Sequence, residues 1–337
     1  MDFFGHQDRA RGRTVKFLVL YGIAVVGVLL SLNVVGMLVY YAVDHSNQPR
    51  GKRTYVVDND APTGVREVRE PAPPAKPFSL WQPQVYGTTS AIVLVIIGLS
   101  GIVKQLMIGG DGASVAESLG GKLVDGNTTD LEERKLINIV EEMSIASGVP
   151  VPRLYVLNAE EGINAFAAGT RPDNAVVAVT RGCIRNLNRD QLQGVVAHEF
   201  SHILNGDMRL NLRMIALNFG IMALGVIGYW VMRLGFEGAA RSSKKEGAGA
   251  ALGFAIVGLL MMIVGYVGVF FGNMIQAAIS RQREFLADAS AVQFTRNPSG
   301  IAGALKKIGG LAYGSKLKTA AAGEASHMFF ARVAGRS

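Results

Sequence analysis

The chain has 337 residues, of which 49% are hydrophobic and only 18% are charged. An ordinary soluble domain carries about 25% charged residues, so part of this chain is not built for water. Lysine and arginine number 34 against 26 aspartate and glutamate, a formal net charge of +8. The composition excludes collagen and a disordered chain, and the lone Cys183 excludes a disulfide scaffold and suits a reducing compartment.

Four stretches of the chain contain no charged residue, and the shortest of them has 19 residues. They cover residues 17–43, 77–103, 214–232 and 247–280. Because roughly 20 apolar residues suffice to cross a bilayer as a helix, each stretch predicts a transmembrane span. The alternative is a buried core helix, above all for 214–232, which contains Asn218 and three glycines.

The first 108 residues are predicted to form an N-terminal membrane region with spans at about 17–43 and 84–106. Its basic start resembles that of a signal peptide, but 27 uncharged residues are too long for one and indicate an uncleaved anchor. Residues 44–83 hold seven of the eleven prolines and are mixed in charge. Such a segment buries little apolar surface, so we expect an extended or disordered loop there.

Residues 109–213 have the composition of a soluble α+β domain. A capping box at Thr129–Glu132 and apolar residues at helical spacing predict a helix that ends at Gly148. Residues 153–157 and 175–180 are short and β-branched, as is typical of strands. Residues 192–205 are predicted to form a helix.

The last two spans, at about 214–232 and 252–278, are predicted to form a hairpin over residues 214–280, because few residues connect them. The pairs Gly249 with Gly253 and Gly268 with Gly272 have the four-residue spacing that allows helices to approach closely. Residues 281–337 then return to the side of the membrane that 109–213 occupies. The distribution of lysine and arginine favours the cytoplasm for that side.

The sequence His198-Glu199-Phe200-Ser201-His202 lies within the predicted helix 192–205. Two histidines four residues apart project from one helix face and can hold one metal ion, with Glu199 beside it to accept a proton from water. The alternative is a pair of surface histidines without a ligand.

A catalytic zinc needs a third protein ligand, and the candidate is Glu284. It follows His202 by 82 residues, but the predicted hairpin would bring both back to the same end of the spans. Asp288, one helical turn beyond Glu284, is placed to fix the tautomer of a ligating histidine. The alternative is a solvated acidic pair that balances Arg281 and Arg283.

Asp207, five residues beyond His202, has two interpretations. It is either a second group that orients a ligating histidine or simply the residue that follows the helix end at Gly206.

Four motifs together resemble the HtpX-type membrane zinc metalloproteases, relatives of the CAAX prenyl proteases. They are HEFSH at 198–202, NGD at 205–207, GINAFA at 162–167 and REFLAD at 283–288. The resemblance extends over about 90–330 and implies a zincin-like α+β protease domain. It further implies about four transmembrane helices, two of which form a hairpin inserted between the zinc ligands.

The resemblance also implies roles for residues. His198, His202 and Glu284 would bind one Zn²⁺, Glu199 would be the general base, and Asp288 and Asp207 would support the histidines. The segment Asn164, Ala165, Phe166 and Ala167 would be the edge strand along which a substrate peptide lies. The alternative is an internal strand with Phe166 in the core.

The sequence therefore predicts a membrane-bound zinc metalloendopeptidase in a bacterial inner membrane, with its protease domain in the cytoplasm. Expected partners are the lipid bilayer and misfolded membrane proteins or unfolded polypeptides, in quality control and stress response, and no nucleic acid. Family members usually continue beyond the point where this chain ends, which leaves a catalytically impaired scaffold as one alternative. A CAAX-type prenyl protease is the other, whereas a transporter is disfavoured because no span contains an ionisable residue.

Overall fold

The computed structural model describes residues 3–46, 53–57, 65–69, 79–108, 112–241 and 245–310. The chain divides into two compact units. The first unit comprises Met1–Ala24, Gly98–Gly220 and Val269–Ser337, and the second comprises Val25–Ile97 and Ile221–Gly268.

The described residues form helices along most of the chain, together with two small sets of strands. The first four elements are α1 (Phe3–Ser46), β1 (Arg53–Val57), β2 (Val65–Arg69) and α2 (Pro83–Ile108). Next come α3 (Gly112–Ser118), β3 (Gly121–Leu123), α4 (Leu131–Ser147), β4 (Arg153–Leu157), β5 (Ala165–Ala168) and β6 (Val176–Thr180). The remainder is helical: α5 (Arg181–Asn186), α6 (Arg189–Asn205), α7 (Asp207–Arg241), α8 (Lys245–Thr295) and α9 (Pro298–Gly310).

Among the described residues, four helices are long and apolar enough to cross a membrane, as predicted: α1, α2, α7 and α8. Each of them extends beyond its uncharged stretch. α7 begins at Asp207 and α8 continues to Thr295. No proline interrupts either helix, so the backbone stays helical where the sequence turns polar. The segment that carries Glu284 and Asp288 is therefore part of the same helix as the fourth candidate span.

The predicted loop 44–83 contains regular structure. β1 pairs with β2 in an antiparallel register that places Tyr55 opposite Glu67. Both segments are rich in β-branched residues, which explains why they pair despite their charges. The prediction of an extended or disordered loop is thus wrong for these ten residues, whereas most of its prolines lie outside the described residues.

Close packing in the second unit involves other glycines than Gly249 and Gly253. A Cβ on either of those two would meet no atom of the described residues within 4 Å. A Cβ on Gly228 of α7 would instead lie 2.8 Å from the carbonyl oxygen of Gly258 on α8. The predicted close approach is therefore wrong for Gly249 and Gly253, whereas a Cβ on Gly268 or Gly272 would clash with a side chain of α7, as the four-residue spacing of that pair predicts.

A mixed four-stranded sheet in the first unit has the order β3-β4-β6-β5. β4 and β6 are parallel, and β3 and β5 join them in antiparallel pairs, so β5 lies at one edge. Alternate residues face opposite sides. Val177 and Val179 pack with α4 and α6, whereas Val176 and Ala178 pack with α3. The prediction of an α+β domain is confirmed.

The cap of α4 differs from the predicted one by one residue. Asp130, not Thr129, accepts a hydrogen bond from the backbone N–H of Glu132. The same aspartate, with Glu132 and Glu133, also pairs with the guanidinium of Arg181 at 2.9 to 3.2 Å. That hydrogen bond from Glu132, followed by the hydrogen bond and charge of Arg181, holds the pKa of Asp130 below its usual value. The first turn of α4 is therefore tied to the start of α5.

The helix with the two histidines, α6, begins three residues earlier than predicted. Asn188 and Gln191 form a capping box, and the helix ends at Gly206, whose φ of 67° lies in the left-handed region that glycine tolerates. α9 packs against its N-terminal half. A Cβ on Gly194 would lie only 2.6 Å from the backbone nitrogen of Ile301, so the two helices meet backbone to backbone. α9 is thereby packed closely against α6.

Cys183 is fully buried in the core beneath α6. Burial, and then the nearby negative charge of Glu199, raise the pKa of its thiol far above the usual value. Since the thiolate is the reactive form, we expect no reaction with iodoacetamide at pH 8 in the folded protein and one alkylated thiol per chain in denaturant. A Ser118→Cys variant, altered at an exposed position, should gain one reactive thiol without denaturant. Rapid alkylation of the native wild-type chain would contradict this packing.

Candidate active site

Three side chains from two helices converge in the first unit. His198 and His202 project from one face of α6, and their Nε2 atoms are 3.1 Å apart. The Nε2 atom of His198 lies 3.3 Å from a carboxylate oxygen of Glu284 on α8. One ligand atom from each of the three residues falls within 4.8 Å of the others. The predicted ligands are therefore brought together although 82 residues separate the last two.

The donor set and its spacing suit a metal ion. Ligand atoms bound tetrahedrally at 2.0 to 2.1 Å lie about 3.3 Å from one another, close to the separations seen between these atoms. Glu199 supplies a second observation. It is 1% exposed, and its Oε1 atom is buried without a hydrogen-bond partner among the described residues. A buried carboxylate oxygen with no partner is costly, so the site is suited to a further polar occupant.

Carboxylates orient both imidazole rings through the nitrogens that face away from the cluster. Nδ1 of His198 lies 3.0 Å from Asp288, and Nδ1 of His202 lies 2.8 Å from Asp207. A hydrogen bond from Nδ1 leaves the Nε2 lone pair free to bind a cation. Asp207 thus contacts the site, in addition to being the first residue of α7.

Arg283 is a residue that the sequence interpretation did not assign to the site. Its guanidinium lies 2.8 Å from the Oδ1 atom of Asp207, while the other carboxylate oxygen faces His202. The ion pair links the start of α7 to the helix that carries Glu284. Its signal in the sequence is weak, since an arginine beside an acidic residue is common on exposed helix surfaces.

Three pKa values in the cluster depart from their usual range, those of His198, Glu199 and Glu284, and in spite of burial the pKa of Glu284 is lowered by its hydrogen bond with His198. Burial lowers the pKa of His198, but hydrogen bonds with Asp288 and Glu284 outweigh it and raise the pKa to about 10. The pKa of Glu199 is raised, chiefly by burial, against the opposing positive charges of His202 and His198. A carboxylate with a raised pKa is a stronger base, which suits a group that accepts a proton from water.

The predicted substrate strand lies beside Glu199. β5 begins at Ala165, one residue later than predicted, and is the edge strand of the sheet, with Phe166 buried on its α3 side. The two interpretations of this segment therefore combine, because an edge strand also contributes Phe166 to the core. The backbone N–H of Ala167 donates to Glu199. Asn164 is buried just before the strand, where its N–H donates to the hydroxyl of Thr180.

A cavity of about 500 Å³ continues from the end of β5 and the end of α6. Its walls include Thr170, Ile203 and Met208, and Arg209 at its rim donates to the carbonyl of Thr170. The cavity thus lies beyond the ends of β5 and α6, and none of the three candidate metal ligands lines it.

A helical His-Glu-x-x-His pair, a carboxylate from a second helix and an adjacent edge strand define a metallopeptidase site. The model of peptidase family M48 matches residues 130–329, well over half of the chain and including the whole cluster. The chain belongs to peptidase family M48, and the predicted enzyme class, a metallopeptidase, is confirmed.

Bacterial proteases of the HtpX type are similar to this chain. The protease HtpX homologue of Ligilactobacillus salivarius is 38% identical over 220 residues, which cover 65% of this chain and 70% of the relative. The homologue of Caldanaerobacter subterraneus subsp. tengcongensis is 42% identical over 202 residues, covering 60% and 64%. That of Streptococcus uberis is 40% identical over 171 residues, covering 51% and 56%. The predicted resemblance to HtpX-type metalloproteases is confirmed, and with four apolar helices it supports a bacterial membrane protease.

Proposed function

We propose that this chain is a zinc endopeptidase that cleaves misfolded or unfolded membrane proteins beside the bilayer. His198, His202 and Glu284 hold the zinc ion and Glu199 is the general base. The observation that carries the proposal is the convergence of three ligand atoms within 4.8 Å of one another. Beside them, the buried Oε1 atom of Glu199 has no hydrogen-bond partner among the described residues.

Each residue of the cluster has a distinct chemical role. Zinc, when bound, supplies the Lewis acidity that acidifies a water molecule and polarises a peptide carbonyl. Glu199 accepts the proton of the attacking water and returns it to the leaving amine. Asp288 and Asp207 orient the two imidazoles so that Nε2 of each faces the metal position, and Arg283 keeps Asp207 in position.

The substrate is an extended polypeptide. An edge strand can pair with a peptide strand through outward-facing backbone groups, so β5 recognises main chain and not a particular side chain. The N–H of Ala167 already donates to Glu199, so that group is not offered to the peptide. Recognition of this kind suits unfolded segments, which are extended and share only their backbone.

The membrane arrangement follows from the order of elements. α7 starts five residues after His202, and α8 brings Glu284 back, so the two helices form a hairpin inserted between the zinc ligands. Residues 1–108 form the N-terminal membrane region, 109–213 and 281–337 form the protease domain, and 214–280 form the hairpin. The protease domain lies on the cytoplasmic side of the bacterial plasma membrane.

Zinc content and cleavage of an unfolded membrane protein, measured on the full chain in detergent, test the proposal together. One zinc per chain with turnover that depends on Glu199 is the expected result. Stoichiometric zinc without turnover would instead identify an impaired scaffold. A requirement for a prenylated cysteine in the substrate would identify a CAAX-type protease.

A further inference from the structure

We propose that the first helix, α1, is a positioning element for the third metal ligand, because it is hydrogen-bonded to α8 or its polar network on both sides of Glu284. This inference rests on the proposed function, in which Glu284 binds zinc. All the residues that carry it belong to the first unit.

The first contact lies beyond the ligand along α8. The side-chain amide of Gln7 donates to Gln293 at 2.6 Å and to the hydroxyl of Ser290 at 3.4 Å. Gln7 is 8% exposed and Ser290 4% exposed, so these polar groups are shielded from solvent. Ser290 in turn donates to the carbonyl of Leu286 in its own helix. The N-terminal end of α1 is thereby attached to the turns of α8 that follow Glu284.

The second contact lies before the ligand. The hydroxyl of Tyr21 donates to Asn218 of α7 at 2.7 Å, and the Asn218 amide donates to Gln276 at 2.9 Å and to Asn273 at 3.1 Å. Gln276 donates back to Asn211 of α7 at 3.0 Å. This polar network joins three helices, and its bonds to Asn273 and Gln276 depend on the rotation of α8.

Glycine makes the second contact possible. A Cβ on Gly272 would clash with the side-chain oxygen of Asn218, so only a glycine there lets that amide approach α8. An asparagine 7% exposed between apolar helices has few other partners, and breaking its bonds leaves costly unsatisfied groups. The network therefore favours one arrangement of the helices.

Glu284 lies between these contacts, eight residues after Gln276 and six before Ser290. At about 1.5 Å per residue they are roughly 12 Å and 9 Å away along the helix. The Glu284 side chain itself is 49% exposed, so dense packing does not hold it. The neighbouring buried residues of α8 are Leu286, Ala287 and Ala291, whose apolar contacts carry no directional bond. The hydrogen bonds on both sides therefore act together with the Arg283–Asp207 ion pair and the His198–Asp288 contact to set the rotation and height of the ligand.

The test removes the bonds and measures metal affinity. We expect Tyr21→Phe combined with Gln7→Leu to weaken zinc binding at least tenfold, in chelator competition on the full chain in detergent. Hydrolysis should recover towards the wild-type rate at saturating zinc, because the catalytic groups are intact. Tyr21→Phe alone, which removes one oxygen atom, should give a smaller shift in the same direction. Unchanged zinc affinity in the double variant would overturn the proposal.

Thr14→Val is the matched control. Thr14 is also buried on α1 between the two contacts, but its hydroxyl donates to the carbonyl of Ala10 in the same helix. We expect wild-type zinc affinity from it. Protection of Cys183 from alkylation verifies in each variant that the core remains folded. A zinc defect in Thr14→Val as large as that of the double variant would show a general packing effect and overturn the proposal.

A Glu284→Gln background separates this inference from the proposed function. If α1 acts by positioning Glu284, the double substitution should change the remaining zinc affinity little once that carboxylate is gone. A further tenfold loss there would overturn the positioning role while leaving the ligand assignment intact. Wild-type affinity in Glu284→Gln alone would overturn the ligand assignment itself.

Discussion

Glu199→Gln is expected to retain one zinc per chain and to slow peptide hydrolysis by about 10²- to 10⁴-fold, the range typical of a lost general base. Glutamine has the same shape, and its side-chain oxygen can still accept the hydrogen bond from the Ala167 N–H. It cannot take a proton from water. Because the charged form of Glu199 is penalised by burial, the neutral amide should leave the thermal unfolding temperature unchanged or higher.

The measurement pairs metal analysis with cleavage of an unfolded membrane protein by the same preparation. Glu141→Gln, which alters an exposed residue of α4, is the control and should cleave at the wild-type rate. Loss of zinc together with activity in Glu199→Gln would mean that the substitution disturbed the site, and the variant would then not test the base. Undiminished cleavage with zinc retained would exclude Glu199 as the proton acceptor.

His202→Ala is expected to lose zinc on dialysis and to have no detectable activity, since two ligands remain of three. Asp288→Asn should have a milder effect, about 10- to 100-fold in metal affinity, because it only weakens the orientation of His198. Treating the wild-type chain with a chelator should abolish cleavage, and added Zn²⁺ should restore it. Chelator competition gives the order of affinities.

The graded order is the informative part of this experiment. The loss of zinc affinity should be largest for His202→Ala, which removes a direct ligand. It should be smaller for Asp288→Asn, which alters a group that orients a ligand, and absent for Glu141→Gln, at an exposed acidic residue. If His202→Ala bound zinc as tightly as the wild-type chain, the cluster on α6 and α8 would not be the metal site.

The apolar architecture was predictable because one physical property determines it. Long uncharged stretches have few alternatives to a membrane helix. Four transmembrane helices were expected, and the described residues contain four helices that are long and apolar enough to span a membrane. Helix ends were less predictable. Arg213 and Arg281 are charged, so the loss of hydropathy at each predicts the end of a span, although the backbone remains helical through both. Hydropathy reports compatibility with lipid, whereas helix continuity depends on backbone hydrogen bonds and on the absence of proline.

The convergence of the site was predictable from one residue spacing and from the expected pairing of two helices. The four-residue spacing of His198 and His202 places both on one helix face, and a paired α7 and α8 would return Glu284 to that end. Asp288 could be assigned by its one-turn distance from Glu284. The link from Arg283 to Asp207 could not, because it joins two helices whose relative rotation is set by packing in space. The same holds for Gly194, whose neighbour Ile301 lies far along the chain.

Because its one cysteine, Cys183, is buried, we expect the folded wild-type protein not to react with thiol reagents. A cysteine introduced elsewhere therefore gives a signal with no background, and the wild-type chain can serve directly as its blank. If the protease domain lies in the cytoplasm, as we propose, Ser79→Cys, between α1 and α2, should be labelled in intact cells by a membrane-impermeant maleimide. Ser118→Cys, on α3, should be labelled only after the cells are opened. The reverse pattern would place the catalytic residues outside the cell. Because Cys183 is buried, two cysteine variants and one reagent are therefore enough to measure the membrane topology of the chain.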